Sequence, residues 1–152
     1  MIHLEYRCRL SLAPELAFDY VANPAHDAEW QASCLEAELL DAAPAAGARY
    51  RVVFRFMGRR VAFVARITEH RPHSECAFEV VEGPFHYQGR YGFRPAGTGT
   101  DVHWQFWVEP AGFFGIVPLS LLRKLLVSQV ERDLAGIDDR HLAARPVATR
   151  PA

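Results

Sequence analysis

The sequence is poor in cysteine and has no long apolar run. It holds three cysteines, Cys8, Cys34 and Cys76, with no CxxC pair and one necessarily left over. This argues against a disulfide scaffold and favours a reducing compartment. The apolar stretches are far shorter than the roughly 20 residues that a membrane-spanning helix needs. Charged residues such as Glu5 and Arg7 also interrupt any N-terminal signal peptide. We therefore expect a cytoplasmic protein without stable membrane insertion.

An excess of charge of one sign is lacking as well. The chain has 17 lysines and arginines against 18 aspartates and glutamates, which gives a formal net charge of −1. A balance of this kind provides no general attraction for nucleic acid or for anionic lipid. We therefore expect no nucleic-acid partner.

Motifs that hold cofactors or metals are also missing. Gly97-Thr98-Gly99 lacks the lysine and the helix start of a phosphate loop, and no serine or cysteine lies in a nucleophile-elbow motif. His70 and His73 flank Arg71-Pro72, but no third ligand has readable spacing around them. The sequence therefore predicts neither a cofactor nor a metal site.

Apolar and aromatic residues, by contrast, are plentiful enough for a core. The chain has 152 residues, of which 50% are apolar and 12% aromatic, and this suits one globular domain. We place that domain at residues 1–142. Residues 143–152 hold mostly Ala, Arg, Pro and Thr, have nothing to pack against, and are expected to form a mobile tail.

Strand-like alternation dominates the first three quarters of the chain. Residues 2–12, 33–41 and 101–109 alternate between apolar and polar side chains, which is the period of a half-buried strand. In residues 33–41 the alternation assigns Cys34 to the outward face of the sheet.

Two hairpins can be predicted from pairing arithmetic. A two-residue turn at Gly58-Arg59 brings apolar side chains opposite one another, as one buried face requires. A second two-residue turn at Glu82-Gly83 likewise brings apolar side chains opposite one another. The predicted pairs are Tyr50–Ile67, Val52–Ala65, Phe54–Phe63 and Phe56–Val61 in the first hairpin, and Val80–Phe85, Phe78–Tyr87 and Cys76–Gly89 in the second.

Three helices are indicated by start signals. Pro14 suits the first turn of a short helix, and Asn23 with Pro24 predicts a second one that runs to about Trp30. Pro118 begins a long helix to about residue 138. Its apolar stripe at helical spacing consists of Leu119, Leu122, Leu126, Val130, Leu134 and Ile137.

This order of elements resembles the START-like, or SRPBCC, superfamily, and in particular its polyketide cyclase/dehydrase group. The resemblance implies an α+β helix-grip fold, in which a strongly curved antiparallel sheet wraps around the long C-terminal helix and two short helices lie between strands 1 and 2. It covers roughly residues 1–140. The residues that carry it are Ala13-Pro14-Glu15 with Phe18 and Tyr20-Val21, Asn23-Pro24 leading to Trp30, Gly47-Ala48-Arg49-Tyr50, Arg71-Pro72, and the C-terminal helix.

Members of this superfamily hold hydrophobic molecules in a cavity between sheet and helix, and only some are enzymes. The resemblance therefore implies binding of a lipid, polyketide or quinone, for carriage, sequestration or sensing. One alternative is a polyketide cyclase or dehydratase. A second alternative is a protein-interaction module or quinone chaperone, which a solid interior would favour.

Inward positions of the predicted sheet, together with two leucines of the long helix, define the candidate ligand-binding residues. They are aromatic or apolar with a few hydroxyls, as a pocket for an apolar ligand requires, although the same residues would also fill a core. This composition favours binding over catalysis. The candidates are Tyr6, Tyr50, Phe54, Phe63, Phe78, Tyr87, Tyr91, Trp104, Phe106, Leu122 and Leu126.

Catalytic groups are not evident, and the candidates are Asp133, Glu29 and Tyr87. Glu29 shares the second short helix with His26 and Asp27, and in this fold that helix tends to edge the cavity mouth. Asp133 lies within the apolar stripe of the long helix, so it is either solvated, paired with an arginine, or part of the site.

A lid is suggested by Phe113 and Phe114, which lie between two glycines just before the long helix. Exposed aromatics on a hinged loop suit a cover over a cavity mouth or a transient contact with a membrane. The alternative is that both side chains pack into the core. The nearby Leu121 and Leu125 favour an apolar entrance. The oligomeric state cannot be predicted from these patterns.

Overall fold

The computed structural model describes residues 1–109 and 117–138 of the chain. The predicted lid residues Phe113 and Phe114, and the predicted tail, lie outside the described residues. The elements are β1 (Ile2–Leu10), α1 (Pro14–Ala22), a 3-10 turn (Pro24–His26), α2 (Asp27–Trp30), β2 (Cys34–Leu39), β3 (Arg49–Phe56), β4 (Arg59–Arg71), β5 (Glu75–Glu82), β6 (Tyr87–Ala96), β7 (Gly99–Val108) and α3 (Leu119–Ala135).

The strands form one curved antiparallel sheet of seven strands in the order β1-β7-β6-β5-β4-β3-β2. Its inner face and the helices enclose the core. Among the strands, α3 approaches β1 most closely. This arrangement is the α+β helix-grip fold, so the predicted fold class is confirmed.

The helix start signals act largely as predicted. The Asn23 side chain accepts a hydrogen bond from the Ala25 N–H at 3.1 Å, which satisfies a donor at the start of the 3-10 turn. Leu122, Leu134 and Ile137 of the long-helix stripe are buried. Leu119 is 58% exposed, so the buried stripe begins one turn later than predicted.

The first hairpin turns one residue earlier than predicted. Met57 and Gly58 are the turn residues, with φ values of 52° and 76°. Positive φ at both positions is the type I′ geometry, whose twist matches that of the flanking strands. Tyr50 therefore pairs with Ala65 rather than with Ile67. The shift is two positions along the partner strand, so every side chain keeps its predicted face.

The second hairpin has a longer connection than predicted, spanning residues 83–86. Cys76 pairs with Tyr91, and Phe78 pairs with Gly89. A Cβ added at Gly89 would stand 2.4 Å from Cζ of Phe78, in the space that the Phe78 ring occupies. The glycine therefore leaves room for an aromatic ring on the inner face.

A β-bulge alters the face of one predicted residue. The register of β2 against β3 shifts between Cys34 and Glu36. Because a bulge inserts an unpaired residue, it breaks the simple alternation of faces. Cys34 is accordingly buried, at 5% exposure, and its predicted outward orientation is wrong.

Candidate functional site

A cavity of about 480 Å³ lies between the inner face of the sheet and the helices. Most of its lining is apolar, and aromatic side chains from the sheet form much of the wall. All the predicted ligand-binding residues except Tyr6 and Leu122 line it. Those that do are Tyr50, Phe54, Phe63, Phe78, Tyr87, Tyr91, Trp104, Phe106 and Leu126.

Tyr6 and Leu122 lie outside the lining because of the way α3 packs against the sheet. Tyr6 lies on β1, the strand that α3 approaches most closely, so little space remains there. Leu122 is 1% exposed and packs among the core residues. The cavity therefore lies over strands β3 to β7.

Tyr87 stands at the centre of the aromatic wall. Its ring centroid is 5.0 Å from that of Phe63, 5.2 Å from Phe106 and 6.2 Å from Phe78. These rings come from the inward positions of β4, β7 and β5. Such separations are those of favourable edge-to-face and offset-stacked pairs, so the wall is a packed surface.

Asp27 is a polar residue of the lining that sequence reasoning did not select. It begins α2, is 9% exposed and lines the cavity with Trp30, three residues later. Burial raises the pKa of its carboxyl well above the ordinary value. Because α2 has four residues, it shows no helical periodicity from which the inward residue could have been read.

Three tyrosine hydroxyls share the lining with Asp27, those of Tyr50, Tyr87 and Tyr91. Burial raises the pKa of each phenol, and the negative form of Asp27 raises it further. Burial likewise raises the pKa of the Cys76 thiol, also in the lining, to about 12, with a contribution from Asp27. The three phenols and the thiol are therefore uncharged at neutral pH.

Asp133 also lines the cavity, from α3. It is 7% exposed, so it is not solvated. Its Oδ1 accepts hydrogen bonds from the backbone N–H of Ala32 at 3.2 Å and from Nε2 of Gln129 at 3.0 Å. The bond from Ala32 joins α3 to the segment between α2 and β2, and the bond from Gln129 lies within α3. Asp133 therefore has a structural role beside any role in the cavity.

Exposed residues of the lining mark where the cavity meets solvent. Arg55 and Met57 come from the end of β3 and its turn, and Leu125 and Arg132 come from α3. Within the described ranges, these two arginines are the only basic residues of the lining, and both are exposed. The inner part of the cavity thus contains no positive charge from the residues described.

A family model described as "Polyketide cyclase / dehydrase and lipid transport" matches residues 1–141. The chain belongs to this family. A search of curated protein sequences gave no match. The family includes lipid transport as well as cyclisation and dehydration, so membership alone does not decide between binding and catalysis.

Solved structures share the fold of this member of the polyketide cyclase/dehydrase and lipid transport family. TTHA0849 from Thermus thermophilus is 25% identical, with a TM-score of 0.81 over 95% of this chain and 100% of that chain. A START superfamily protein from Mycobacterium smegmatis is 14% identical, with a TM-score of 0.75 over 91% and 95%. The ginseng major latex-like protein 151 from Panax ginseng is 17% identical, with a TM-score of 0.68 over 90% and 97%. The latter two likenesses show the fold alone.

In this member of the family, the catalytic candidates Glu29 and Tyr87 differ in their position relative to the cavity. Glu29 is exposed, lies outside the lining, and is 2.6 Å from Nδ1 of His26. Tyr87 lines the cavity, and burial raises the pKa of its phenol. In the described residues, no group of three potential ligands could hold a metal ion.

Proposed function

We propose that this protein binds a hydrophobic small molecule, such as a lipid, polyketide or quinone, in the cavity between sheet and α3. The observation that carries this proposal is the cavity of about 480 Å³ with its aromatic wall. Pockets for small molecules generally measure about 300–1,000 Å³ and are mostly apolar. A ligand of matching shape would gain about 25 cal/mol for each Å² of apolar surface removed from water. Carriage, sequestration and sensing all use such binding.

A cyclase or dehydratase is the alternative that one observation favours. Two buried carboxyl side chains, Asp27 and Asp133, line the same cavity. A carboxyl with a raised pKa is a suitable proton donor for loss of water. This alternative predicts that a ligand recovered from the wild-type protein differs chemically from the ligand recovered from Asp27→Asn. Simple binding predicts the same compound in both.

The interaction-module alternative has less support. A solid interior would favour it, whereas the interior contains a large cavity. The proposal retains a cytoplasmic location, because Cys8, Cys34 and Cys76 are all free thiols.

Ligand entry by transient contact with a membrane is part of the proposal. Met57, Leu121 and Leu125 are exposed at 51%, 47% and 44%, and two of them belong to the lining. Leu121 precedes Leu125 by one helical turn on α3, so both lie on one face. No helix in residues 1–109 and 117–138 is long and apolar enough to cross a membrane.

Binding can be tested by filling the cavity from α3. Val130 lines the cavity and is only partly buried, so Val130→Trp should place an indole in the space that a ligand needs. We expect this variant to bind the neutral fluorophore N-phenyl-1-naphthylamine at least about tenfold more weakly than the wild type, since about 1.4 kcal/mol of lost contact gives tenfold. Fluorescence titration measures this affinity.

The matched control is Glu131→Trp, the same substitution at the next residue of α3, which is exposed and outside the lining. It should bind the fluorophore as the wild type does. Equal affinity in Val130→Trp, with folding verified by circular dichroism, would show that the fluorophore does not bind in this cavity.

A further inference from the structure

Several polar groups of the cavity wall have no partner in the protein. Within the described ranges, the Asp27 carboxyl and the hydroxyls of Tyr50, Tyr87 and Tyr91 make no hydrogen bond, although all four residues are at most 9% exposed. The indole Nε1 of Trp30 is also buried without a described partner. Polar groups in a protein interior are nearly always hydrogen-bonded, so these groups need a partner that occupies the cavity.

These groups belong to one region of the cavity. Asp27 and Trp30 are three residues apart and therefore lie on the same side of α2. Tyr87 and Tyr91 occupy inward positions of β6, and Tyr50 occupies one of β3. All four residues line the same cavity, and a negative charge on Asp27 would raise the pKa of each of the three phenols.

Among the residues that the structure describes, the basic side chains of the cavity lining are Arg55 and Arg132, and both lie at its exposed edge rather than in this region. The titratable groups that interact with Asp27 are acids, namely Cys34 on β2, Tyr50 on β3, Cys76 on β5, and Tyr87 and Tyr91 on β6. Asp133 on α3 interacts with Cys34 and Tyr91 as well. The imidazole of His26 is paired with Glu29 on the more exposed part of the same segment. An anionic head group would therefore remain unpaired here, at a high cost in free energy.

We propose that Asp27, with the hydroxyls of Tyr50, Tyr87 and Tyr91, forms a hydrogen-bonding subsite for the uncharged oxygen group, a hydroxyl or carbonyl, of an otherwise apolar ligand. This inference rests on the proposed function and specifies its ligand class. A carboxylic acid has one O–H donor and a carbonyl acceptor, and a phenol can also donate and accept. A ligand hydroxyl or carbonyl satisfies such groups without bringing charge into the cavity. Fatty-acid anions fit this subsite poorly.

The test compares three small probes that differ in one group: 2-naphthol, 2-methylnaphthalene and 2-naphthoate. Each is titrated as a competitor of N-phenyl-1-naphthylamine on the full-length protein at pH 7. A single neutral hydrogen bond changes an affinity by severalfold. We therefore expect the ratio of naphthol to methylnaphthalene affinity to be about fivefold higher in the wild type than in Asp27→Leu. Naphthoate should be the weakest competitor of the wild type.

Two further variants separate the hydrogen bond from general effects on the protein. Asp27→Asn keeps a donor and an acceptor in the same shape, so it should retain most of the preference for naphthol. Glu29→Gln changes an exposed carboxyl of the same helix and should leave the ratio unchanged.

An equal ratio in the wild type and Asp27→Leu would overturn the subsite, and so would tighter binding of naphthoate than of naphthol. Either result leaves the proposed function standing if the fluorophore and methylnaphthalene still bind. If neither binds to the wild type, the proposed function fails, and the subsite fails with it.

Discussion

At the scale of single residues, Asp27 shows how burial sets chemistry. Its carboxyl lies in the cavity wall beside phenols and thiols, and burial raises its pKa. An ionised carboxylate in such surroundings would need a cation or several hydrogen bonds, and no described residue provides either. Burial of Asp27 therefore lowers the free energy of unfolding by an amount that depends on pH.

The sign of that dependence follows from the direction of the shift. The raised pKa means that the folded state holds the Asp27 proton at pH values where the unfolded state, with a pKa of about 3.9, has released it. The free energy of unfolding of the wild type should then fall as pH rises from about 4 to the folded pKa. Asp27→Asn does not titrate, so its stability relative to the wild type should increase across that range.

Urea denaturation at a series of pH values measures this difference. Asp19→Asn, at an exposed position on α1, controls for the removal of a carboxyl group in general. A difference between Asp27→Asn and the wild type that stays constant with pH would contradict the assignment of Asp27 as a buried, neutral carboxyl.

At the scale of elements, the close approach of two backbone segments limits which residue can stand at the start of β7. Gly99 begins β7, and a Cβ there would stand 2.2 Å from the backbone oxygen of Leu10. Since a backbone atom cannot move aside as a flexible side chain can, β1 and β7 would have to separate locally. Gly92, on the neighbouring strand β6, has no contact for an added Cβ closer than 4.0 Å.

These two glycines make a matched pair. Gly99→Ala should lower the free energy of unfolding by about 1–3 kcal/mol, the usual cost of overpacking. Gly92→Ala should change it by less than about 0.5 kcal/mol, as ordinary substitutions do. Chemical denaturation of both variants measures the difference. Equal costs would show that the contact between Gly99 and Leu10 is not a constraint on the pairing of β1 with β7.

The elements also show which parts of the fold the sequence predicts. Faces were predictable, because a period of two survives a shift of two positions, and Tyr50 and Phe63 both face inward as expected. The register of the β3–β4 hairpin could not be predicted in this way. Met57-Gly58 and Gly58-Arg59 are both acceptable two-residue turns, and only the three-dimensional twist of the strands selects between them. The bulge at Cys34 had no local signal at all.

At the scale of the whole molecule, the sheet provides the part of the candidate site that could be predicted. Its aromatic wall follows from alternation, and all but Tyr6 of the predicted strand residues line the cavity. The contribution of the helices could not be predicted in the same way. Asp27 lies on a helix too short for periodicity, and the position of α3 against β1 depends on packing across the whole domain.

The central claim is that the cavity holds an apolar ligand with an uncharged oxygen group. Native mass spectrometry of gently purified protein, followed by organic extraction, tests it most directly. We predict one non-covalent adduct per chain, of a mass on the order of a few hundred daltons as the cavity size allows, and an extracted compound that bears a hydroxyl or carbonyl. A protein that stays bare, even after incubation with a lipid extract of its expression host, would contradict the claim.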